Sequence, residues 1–309
     1  MNAPRYEDPQ AMRQAINDRL RRLMNDTPGT QLADLQRQFA YDRLLSRVFH
    51  AREDRWVLKG GTAMLARLGG RARHTLDVDL YNQRDAMVEA ERALRAAATL
   101  DLGDHFRFTL SPGQMIAEIL SALRVPVDAY LGAARFTSFR VDLSAGLVMT
   151  GVPDEVDSLV PITLPGLVRG TYRAYPIVDH VADKVCAMLE VHARLTGPPI
   201  HSTRYRDLAD LTVFAHTASV DAANLNTALT AEAARRSLQL PTTLPNLDWP
   251  GWRAGYSRAA RDAPDLAERD LDNALATVRC FIDPVLDGTA AGRWNPEHLA
   301  WDSDGANQC

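Results

Sequence analysis

Lysine and cysteine are both scarce in this sequence. Only two of the 35 basic residues are lysines, Lys59 and Lys184. The three cysteines lie far apart and include no CxxC pair, which excludes a disulfide framework and a zinc ribbon and favours a reducing cytoplasm. No apolar run approaches the ~18 residues of a membrane span, so we expect no membrane partner.

The sequence also has no excess of positive charge. The formal net charge is −4, so any binding of nucleic acid must come from local basic patches. The 309 residues are 46% apolar and 24% charged, as in an ordinary globular protein, and they contain no evident repeat or low-complexity tract. At ~100–200 residues per domain, this length predicts two domains.

The two domains are expected to differ in class, with a boundary at residue 175. Residues 1–175 predict an α+β domain with a mixed sheet, in which two amphipathic helices precede the first strand. Residues 176–309 predict a helical domain. Strands are predicted at 55–59, 75–81, 105–110, 125–130 and 136–143, with an irregular crossing at 151–170. Helices of the second domain are predicted at 179–195, 203–217, 219–237 and 265–283.

Two aspartates separated by one residue carry the clearest chemical signal. Asp77 and Asp79 lie in an alternating segment that predicts a strand, so both carboxylates project from one face of it. Two like charges held this close are unfavourable unless a cation lies between them. Mg²⁺ fits this position, because it prefers oxygen ligands and links carboxylates to substrate phosphates. Taken alone, such a tripeptide is more often a solvated strand face.

A glycine pair lies upstream, where a predicted strand gives way to a helix. Gly60 and Gly61 allow a phosphate to approach the backbone, and the helix N-terminus offers free N–H groups and its dipole. Thr62 is able to cap that helix or to bond a phosphate oxygen. A strand–GG–helix turn alone is more often a simple tight connection. Together with Asp77 and Asp79, it predicts a phosphate-binding turn beside a metal pair.

A third carboxylate is expected on a neighbouring strand. Asp142 is flanked by the apolar Val141 and Leu143, where an acid needs a partner. Asp128, in the partner strand of the hairpin, is the alternative and could equally form a salt bridge. We favour Asp142 as the third metal ligand.

Four motifs, taken in order, resemble the AbiEii family of toxins. This family includes the mycobacterial MenT toxins and belongs to the polymerase-beta-like nucleotidyltransferase superfamily. The matching segments are KGGT at 59–62, RHTLDVDL at 73–80, DHVADK at 179–184 and RYRDLAD at 204–210. Thr75 stands where the family often has serine, which preserves the hydroxyl. The N-terminal helices and the tail after about residue 240 have no obvious counterpart.

The resemblance implies a nucleotidyltransferase of the EC 2.7.7 type, with a nucleotidyltransferase fold and Mg²⁺ held by Asp77 and Asp79. The two lysines would neutralise a triphosphate as compact charges. Asp207, one helical turn before Asp210, would hold the nucleotide or orient an arginine. The implied site residues are Asp77, Asp79, Lys184 and Asp207 for catalysis; Lys59, Gly60, Gly61, Thr62, Arg73, Thr75 and Asp210 for nucleotide binding; Asp77, Asp79 and Asp142 for metal; and Arg67, Arg71, Arg204 and Arg206 for RNA.

The resemblance also implies the substrates and the partner. A nucleoside triphosphate, CTP or another pyrimidine nucleotide, would donate a nucleotidyl group to RNA, notably to the 3′ end of tRNA. Modification there would block aminoacylation and translation, and a cognate antitoxin would restrain the enzyme in the cytoplasm. Transfer to a small molecule or a protein is the alternative, because the same metal chemistry serves both. An arginine-lined channel for a single strand would favour RNA.

Overall fold

A computed structural model gives the fold of the chain as two compact units. Unit 1 comprises Met1–Leu147 and Pro153–Tyr175, and unit 2 comprises Val148–Val152 and Pro176–Cys309. The structure describes residues 6–27, 30–50, 54–69, 72–117, 122–167, 169–192, 197, 200–263 and 265–302. Within these ranges, no helix has the length and apolar character that crossing a bilayer requires.

Unit 1 begins with two helices, as the sequence predicts. Helix α1 (Pro9–Asp26) starts where the Asp8 carboxylate accepts a hydrogen bond from the Ala11 N–H, with proline at the first helical position. Helix α2 (Leu32–Val48) is buried on most of its circumference. It is therefore a core helix, whereas α1 buries only one face.

A mixed sheet of eight strands forms the centre of unit 1. Its strands are β1 (Trp56–Lys59), β2 (Asp77–Asn82), β3 (Phe106–Leu110), β4 (Gln114–Ala117), β5 (Ala122–Leu131), β6 (Ala134–Ala145), β7 (Asp154–Val156) and β8 (Tyr172–Ala174). Their order is β3-β5-β6-β2-β1-β8-β7, and β4 also pairs with β5. Helices α3 (Gly60–Leu68) and α4 (Met87–Ala98) follow β1 and β2. The predicted α+β class with a mixed sheet is confirmed.

The two faces of this sheet differ in polarity. On β2, Val78 and Leu80 are fully buried, whereas Asp77 and Asp79 are half-buried. The buried side faces the core, where α2 packs against β6 and α4 packs against β6 and β3. We call the other side the polar face; it carries Asp77 and Asp79 on β2, Arg140 and Asp142 on β6, and Arg124 and Tyr130 on β5.

Unit 2 consists mainly of helices. They are α5 (Ile177–Leu189), α6 (Tyr205–Thr217), α7 (Ala222–Arg235), α8 (Trp252–Arg261) and α9 (Leu271–Leu286). Two short strand pairs accompany them, β9 (Val191–His192) with β10 (Ile200–His201), and β11 (Trp294–Asn295) with β12 (Ala300–Trp301). The carboxylates of Asp221 and Asp270 cap α7 and α9.

Helix α8 lies where the sequence predicts only a loose segment. Its first residue, Trp252, is buried, and the indole N–H donates to the Ser202 carbonyl at 2.9 Å. Gly255 lets the Tyr205 ring pack against the helix backbone, because a side-chain carbon there would overlap the ring. Contacts made by residues distant in sequence, rather than local periodicity, therefore stabilise α8.

Candidate functional site

Four charged side chains form a row across the polar face. The register pairs Lys59 on β1 with Asp79 on β2. Asp79 in turn lies beside Asp142 on β6, which is opposite Arg124 on β5. Paired residues project from the same face of a sheet, so the charges follow the order plus, minus, minus, plus. Two acids thus occupy the middle of the row, with a base at each end.

Asp77 and Asp79 form a carboxylate pair on β2. The two side chains share a face because they are two residues apart on a strand, as the sequence predicts. The Thr75 hydroxyl lies 2.8 Å from Asp77 Oδ1 and donates a hydrogen bond to it. This bond fixes the orientation of one carboxylate. The pair repels itself unless a cation is bound, and it offers the hard oxygen donors that Mg²⁺ prefers.

The glycine turn lies directly against Asp79. Gly60 has a φ of +54°, and a side-chain carbon there would overlap Asp79 Oδ2. Helix α3 begins at Gly60, so its first N–H groups face this turn and can bind an anion. The Arg73 guanidinium lies close to Gly61: its Nη1 is 3.7 Å from the position that a Cβ would occupy on this glycine. The turn therefore combines a helix N-terminus with an arginine next to the carboxylate pair.

An aromatic ring positions the Lys59 ammonium. Its Nζ lies 4.3 Å from the centroid of the Tyr175 ring, a cation–π distance. Tyr175 is buried, and its N–H donates to the Leu58 carbonyl at 2.8 Å. The ring is thus held by β1 itself. A compact positive charge consequently lies at the end of the row beside Asp79.

The hydroxyls of Thr62 and Thr75 both donate hydrogen bonds to Asp77. Thr62 is fully buried, and its hydroxyl donates to the Asp77 carbonyl at 2.9 Å. Thr75 is also buried and bonds the Asp77 carboxylate. Burial explains these bonds, since an interior hydroxyl needs an internal partner. The two hydroxyls hold the start of β2 and one of its carboxylates, and their predicted binding of nucleotide stays a prediction.

Asp142 lies where the predicted third ligand should be, but it has a different partner. Arg124 donates to both of its oxygens, at 2.8 and 2.6 Å, and this bond raises the pKa of the Arg124 guanidinium. Among the residues that the structure describes, no three His, Cys, Asp or Glu side chains form a group able to hold a metal ion. Asp142 is thus the carboxylate beside Asp79 on the neighbouring strand and pairs with Arg124, and its role as a metal ligand stays a prediction. Arg124 could not be predicted as a residue of this site, because only the register of β5 and β6 places it beside Asp142.

The alternative carboxylate, Asp128, lies farther from the aspartate pair. It is opposite Ser138 on β6, whose hydroxyl donates to it at 2.5 Å. It is four positions from Arg124 along β5, or about 13 Å at the rise of a strand. Asp142, not Asp128, is the acid beside Asp79.

Arg67 is a largely buried side chain with hydrogen-bond partners inside unit 1. Its Nη2 donates to Asp154 Oδ2 and to the Tyr175 carbonyl, both at 2.6 Å, and its side chain is only 10% exposed. Burial lowers the pKa of this guanidinium. Arg67 thus links α3, β7 and the end of β8, and its predicted contact with RNA stays a prediction. Arg71, the neighbouring prediction, lies outside the described residues.

Unit 2 contains the other predicted cluster. Lys184 on α5 is 5% exposed, and its ammonium donates to Asp207 Oδ1 at 2.9 Å and to Asp210 Oδ2 at 2.6 Å. The two acids share one face of α6, as their spacing predicts, since both reach the same ammonium. Arg204 and Arg206 nearby are each 60% exposed and make only long ion pairs, with Asp207 and with Asp262.

A matched pair of glycine variants tests the contact at Asp79. Gly60→Ala and Gly69→Ala both place a side chain at positive φ, +54° and +59°, which costs about 1–2 kcal/mol of stability. Only the first meets Asp79, because nothing lies within 4 Å of a carbon added at Gly69. We expect a lower melting temperature in both variants, with the larger fall in Gly60→Ala because of the overlap with Asp79, and loss of enzymatic turnover in Gly60→Ala alone. Equal turnover in the two variants would contradict the role of this contact.

Comparisons with known proteins identify a family and a similar solved structure. The profile of nucleotidyl transferase AbiEii toxins, of type IV toxin–antitoxin systems, matches residues 43–277. Among solved structures, the chain is similar to MenT4, a nucleotidyltransferase toxin from Mycobacterium tuberculosis H37Rv. The identity is 16% and the TM-score is 0.49, over 80% of this chain and 94% of that one. No curated protein matches the chain at a significant level.

Proposed function

The chain belongs to the AbiEii family of nucleotidyltransferase toxins, and we propose that it transfers nucleotides to RNA at the 3′ acceptor end of tRNA. It is a nucleotidyltransferase and the toxin of a type IV toxin–antitoxin system, so a nucleoside triphosphate is its substrate and an antitoxin is its partner. The proposal concerns the acceptor, the metal and the residues that act.

One observation supports the proposal most strongly. The carboxylates of Asp77 and Asp79 share a strand face with the Lys59 ammonium, and the Gly60 turn lies against them. Phosphoryl chemistry needs few covalent steps from a protein. It needs instead the positioning of a triphosphate and the compensation of its charge. A carboxylate pair, a helix N-terminus and a fixed ammonium are the parts suited to that task.

Mg²⁺ fits the donors that this strand offers. Asp77 and Asp79 would hold it, and substrate phosphates and water would complete its coordination, as is usual for Mg²⁺. When bound, the metal stabilises charge on the attacking and leaving oxygens of an in-line displacement. Removal of Mg²⁺ with a chelator is therefore expected to abolish transfer.

The side chains around the pair would bind and orient the triphosphate. The N–H groups at the start of α3 and the Arg73 guanidinium beside Gly61 present donors for phosphate oxygens. Lys59 adds a compact charge that can follow whichever oxygen becomes most negative. Thr75 holds the Asp77 carboxylate in one orientation, so it acts as a positioning residue.

The cluster of unit 2 is proposed to serve the same reaction. Lys184 is one of only two lysines in the chain, and it is buried between Asp207 and Asp210. Burying three charged groups is costly unless they are paired and hydrogen-bonded, and the ammonium here bonds both carboxylates. We assign Lys184 and Asp207 to catalysis and Asp210 to nucleotide binding, and both carboxylates hold the lysine in place.

RNA is the proposed acceptor, and CTP or another pyrimidine nucleotide is the proposed donor. In the transfer, the 3′ hydroxyl of tRNA would attack the α-phosphorus of the triphosphate and pyrophosphate would leave, so the hydroxyl that aminoacylation uses becomes esterified. Translation would then stop in the cytoplasm of the cell that makes the toxin. This consequence connects the transferase activity with toxicity.

Incubation with labelled triphosphates tests the proposal. The protein is mixed with Mg²⁺, total RNA and each labelled nucleoside triphosphate in turn, and the products are separated by size. Label on tRNA with a pyrimidine nucleotide is the expected result, and a chelator should remove it. Label on protein or on a small molecule, with none on RNA, would instead establish the alternative acceptor class.

A further inference from the structure

The polar face continues beyond the aspartate pair as an exposed, basic surface. Arg140 lies directly beside Asp77 in the register of β2 and β6, and it is exposed. Farther along, Tyr130 on β5 pairs with Arg107 on β3 and with Arg135 on β6. Arg107 is exposed, and the Arg135 side chain is 66% exposed. We call these four residues, Arg107, Tyr130, Arg135 and Arg140, the arginine platform.

Two of the three arginines of the platform carry positive charge that no ion pair among the described residues neutralises. Arg140 and Arg107 have no ion-pair partner within the part of the chain that the structure describes. Arg135 makes only a long contact, 3.7 Å, with Asp128. Arg124, by comparison, is neutralised by Asp142 and does not belong to the platform. The platform therefore presents positive charge to solvent beside a centre made of carboxylates.

A flat stacking surface lies at the far end of the platform. The Arg107 guanidinium carbon lies 5.7 Å from the centroid of the Tyr130 ring. Bases of single-stranded RNA stack on aromatic rings and on guanidinium planes. Arginine forks also match phosphate geometry. Stacking and phosphate binding are thus available on the same surface.

The dimensions of the platform suit a short single strand. Tyr130 lies two strands away from Asp77 across the sheet and four residues farther along β5. At ~4.8 Å between strands and ~3.3 Å per residue, the two residues are about 16 Å apart. The last few nucleotides of an RNA cover such a distance. A strand stacked at Tyr130 would pass Arg140 just before it reaches the carboxylate pair.

We propose that the arginine platform binds the single-stranded 3′ end of the RNA acceptor and directs it to Asp77 and Asp79. This inference rests on the proposed function, in which RNA receives the nucleotide. RNA is favoured over an acidic protein segment because the platform combines arginines with a stacking surface in line with the aspartate pair.

Three variants and a control test the platform. The first variant is Arg107→Ala with Arg140→Ala, the second is Tyr130→Ala, and the third combines them. The control is Arg92→Ala on α4, whose side chain is 73% exposed and whose helix packs on the opposite face of the sheet. The affinity of the full chain for a short fluorescent single-stranded RNA is measured without triphosphate, over a range of salt concentrations. Thermal melts confirm that each variant folds.

The expected result is a weaker complex with RNA and an unchanged affinity for the triphosphate. Loss of the stacking surface should raise the Kd for RNA about tenfold or more. The double arginine variant should also flatten the log–log dependence on salt by about 1.4, or ~0.7 for each lost phosphate contact. The Michaelis constant for the triphosphate should stay at the wild-type value, and Arg92→Ala should behave as wild type.

The outcomes separate this inference from the proposed function. Variants that bind RNA as tightly as wild type overturn the platform, even where wild type transfers nucleotides to RNA. If RNA binds here but receives no label, the platform stands and the proposed function fails. Variants that keep RNA affinity but escape the cognate antitoxin would show instead that this surface binds a protein, which also overturns the inference.

Discussion

Replacing Asp77 or Asp79 with asparagine is expected to lower the rate of nucleotide transfer at least about a thousandfold, or ~4 kcal/mol in barrier height. Asparagine keeps the size of the side chain but removes the charge that would hold Mg²⁺. The thermal midpoint should stay equal or rise, because one of two like charges on a strand face is removed. Incorporation of labelled nucleotide and a thermal melt measure the two effects.

The control for this pair is Asp18→Asn on α1. Among the described residues, Asp18 pairs with Arg21 alone, at 3.4 Å, and it is 49% exposed, so its replacement should leave turnover unchanged. A variant at Asp77 or Asp79 that keeps a large fraction of wild-type turnover would remove the carboxylate pair from the mechanism. A large fall in melting temperature would also contradict the account, since the pair would then be structural.

Lys184→Met is expected to have the second large effect, on stability as well as on activity. The ammonium is buried between Asp207 and Asp210, so its loss leaves two buried carboxylates without their shared cation. Breaking a buried ion pair in this way costs about 3–5 kcal/mol. That is a large part of the ~5–15 kcal/mol by which a typical protein is stable. Urea denaturation measures the change.

A triple variant separates the two roles of this cluster. Lys184→Met combined with Asp207→Asn and Asp210→Asn removes all three charges together, so much of the lost stability should return. Transfer should stay abolished, because Lys184 and Asp207 are assigned to the reaction. Recovery of both stability and transfer would mean that the cluster is structural only. Failure of the single variant to lower stability would contradict the buried ion pair itself.

The sequence is informative wherever one short segment sets the geometry. The alternation at Asp77 and Asp79 predicts a shared strand face, and the two half-buried carboxylates lie on one. The one-turn spacing of Asp207 and Asp210 predicts a common helix face, and both reach Lys184. In these cases, backbone periodicity alone decides where a side chain points.

Pairing between distant segments explains what could not be predicted. Asp142 and Arg124 meet because the register of β5 and β6 places them opposite each other, and no local pattern encodes that register. Arg67 donates a hydrogen bond to Asp154, which lies in the segment 151–170 that the sequence predicts to be irregular. The arginine platform likewise exists only in the folded sheet.

Burial explains the remaining difference. A threonine beside a glycine turn looks the same in sequence whether its hydroxyl faces a phosphate or the interior. In the structure the Thr62 hydroxyl is enclosed and bonds the Asp77 carbonyl. Exposure depends on how the whole sheet packs, so only the fold separates a ligand from a support.

The most direct test of the central claim is the sequencing of tRNA 3′ ends from bacteria that express the protein. Wild type should arrest growth, and its tRNAs should carry added nucleotides beyond the normal end. Asp77→Asn, at equal expression, should permit growth and leave the tRNA ends unchanged. Growth arrest by both proteins, or arrest by wild type with unaltered tRNA ends, would contradict transfer to tRNA by the Asp77 and Asp79 centre.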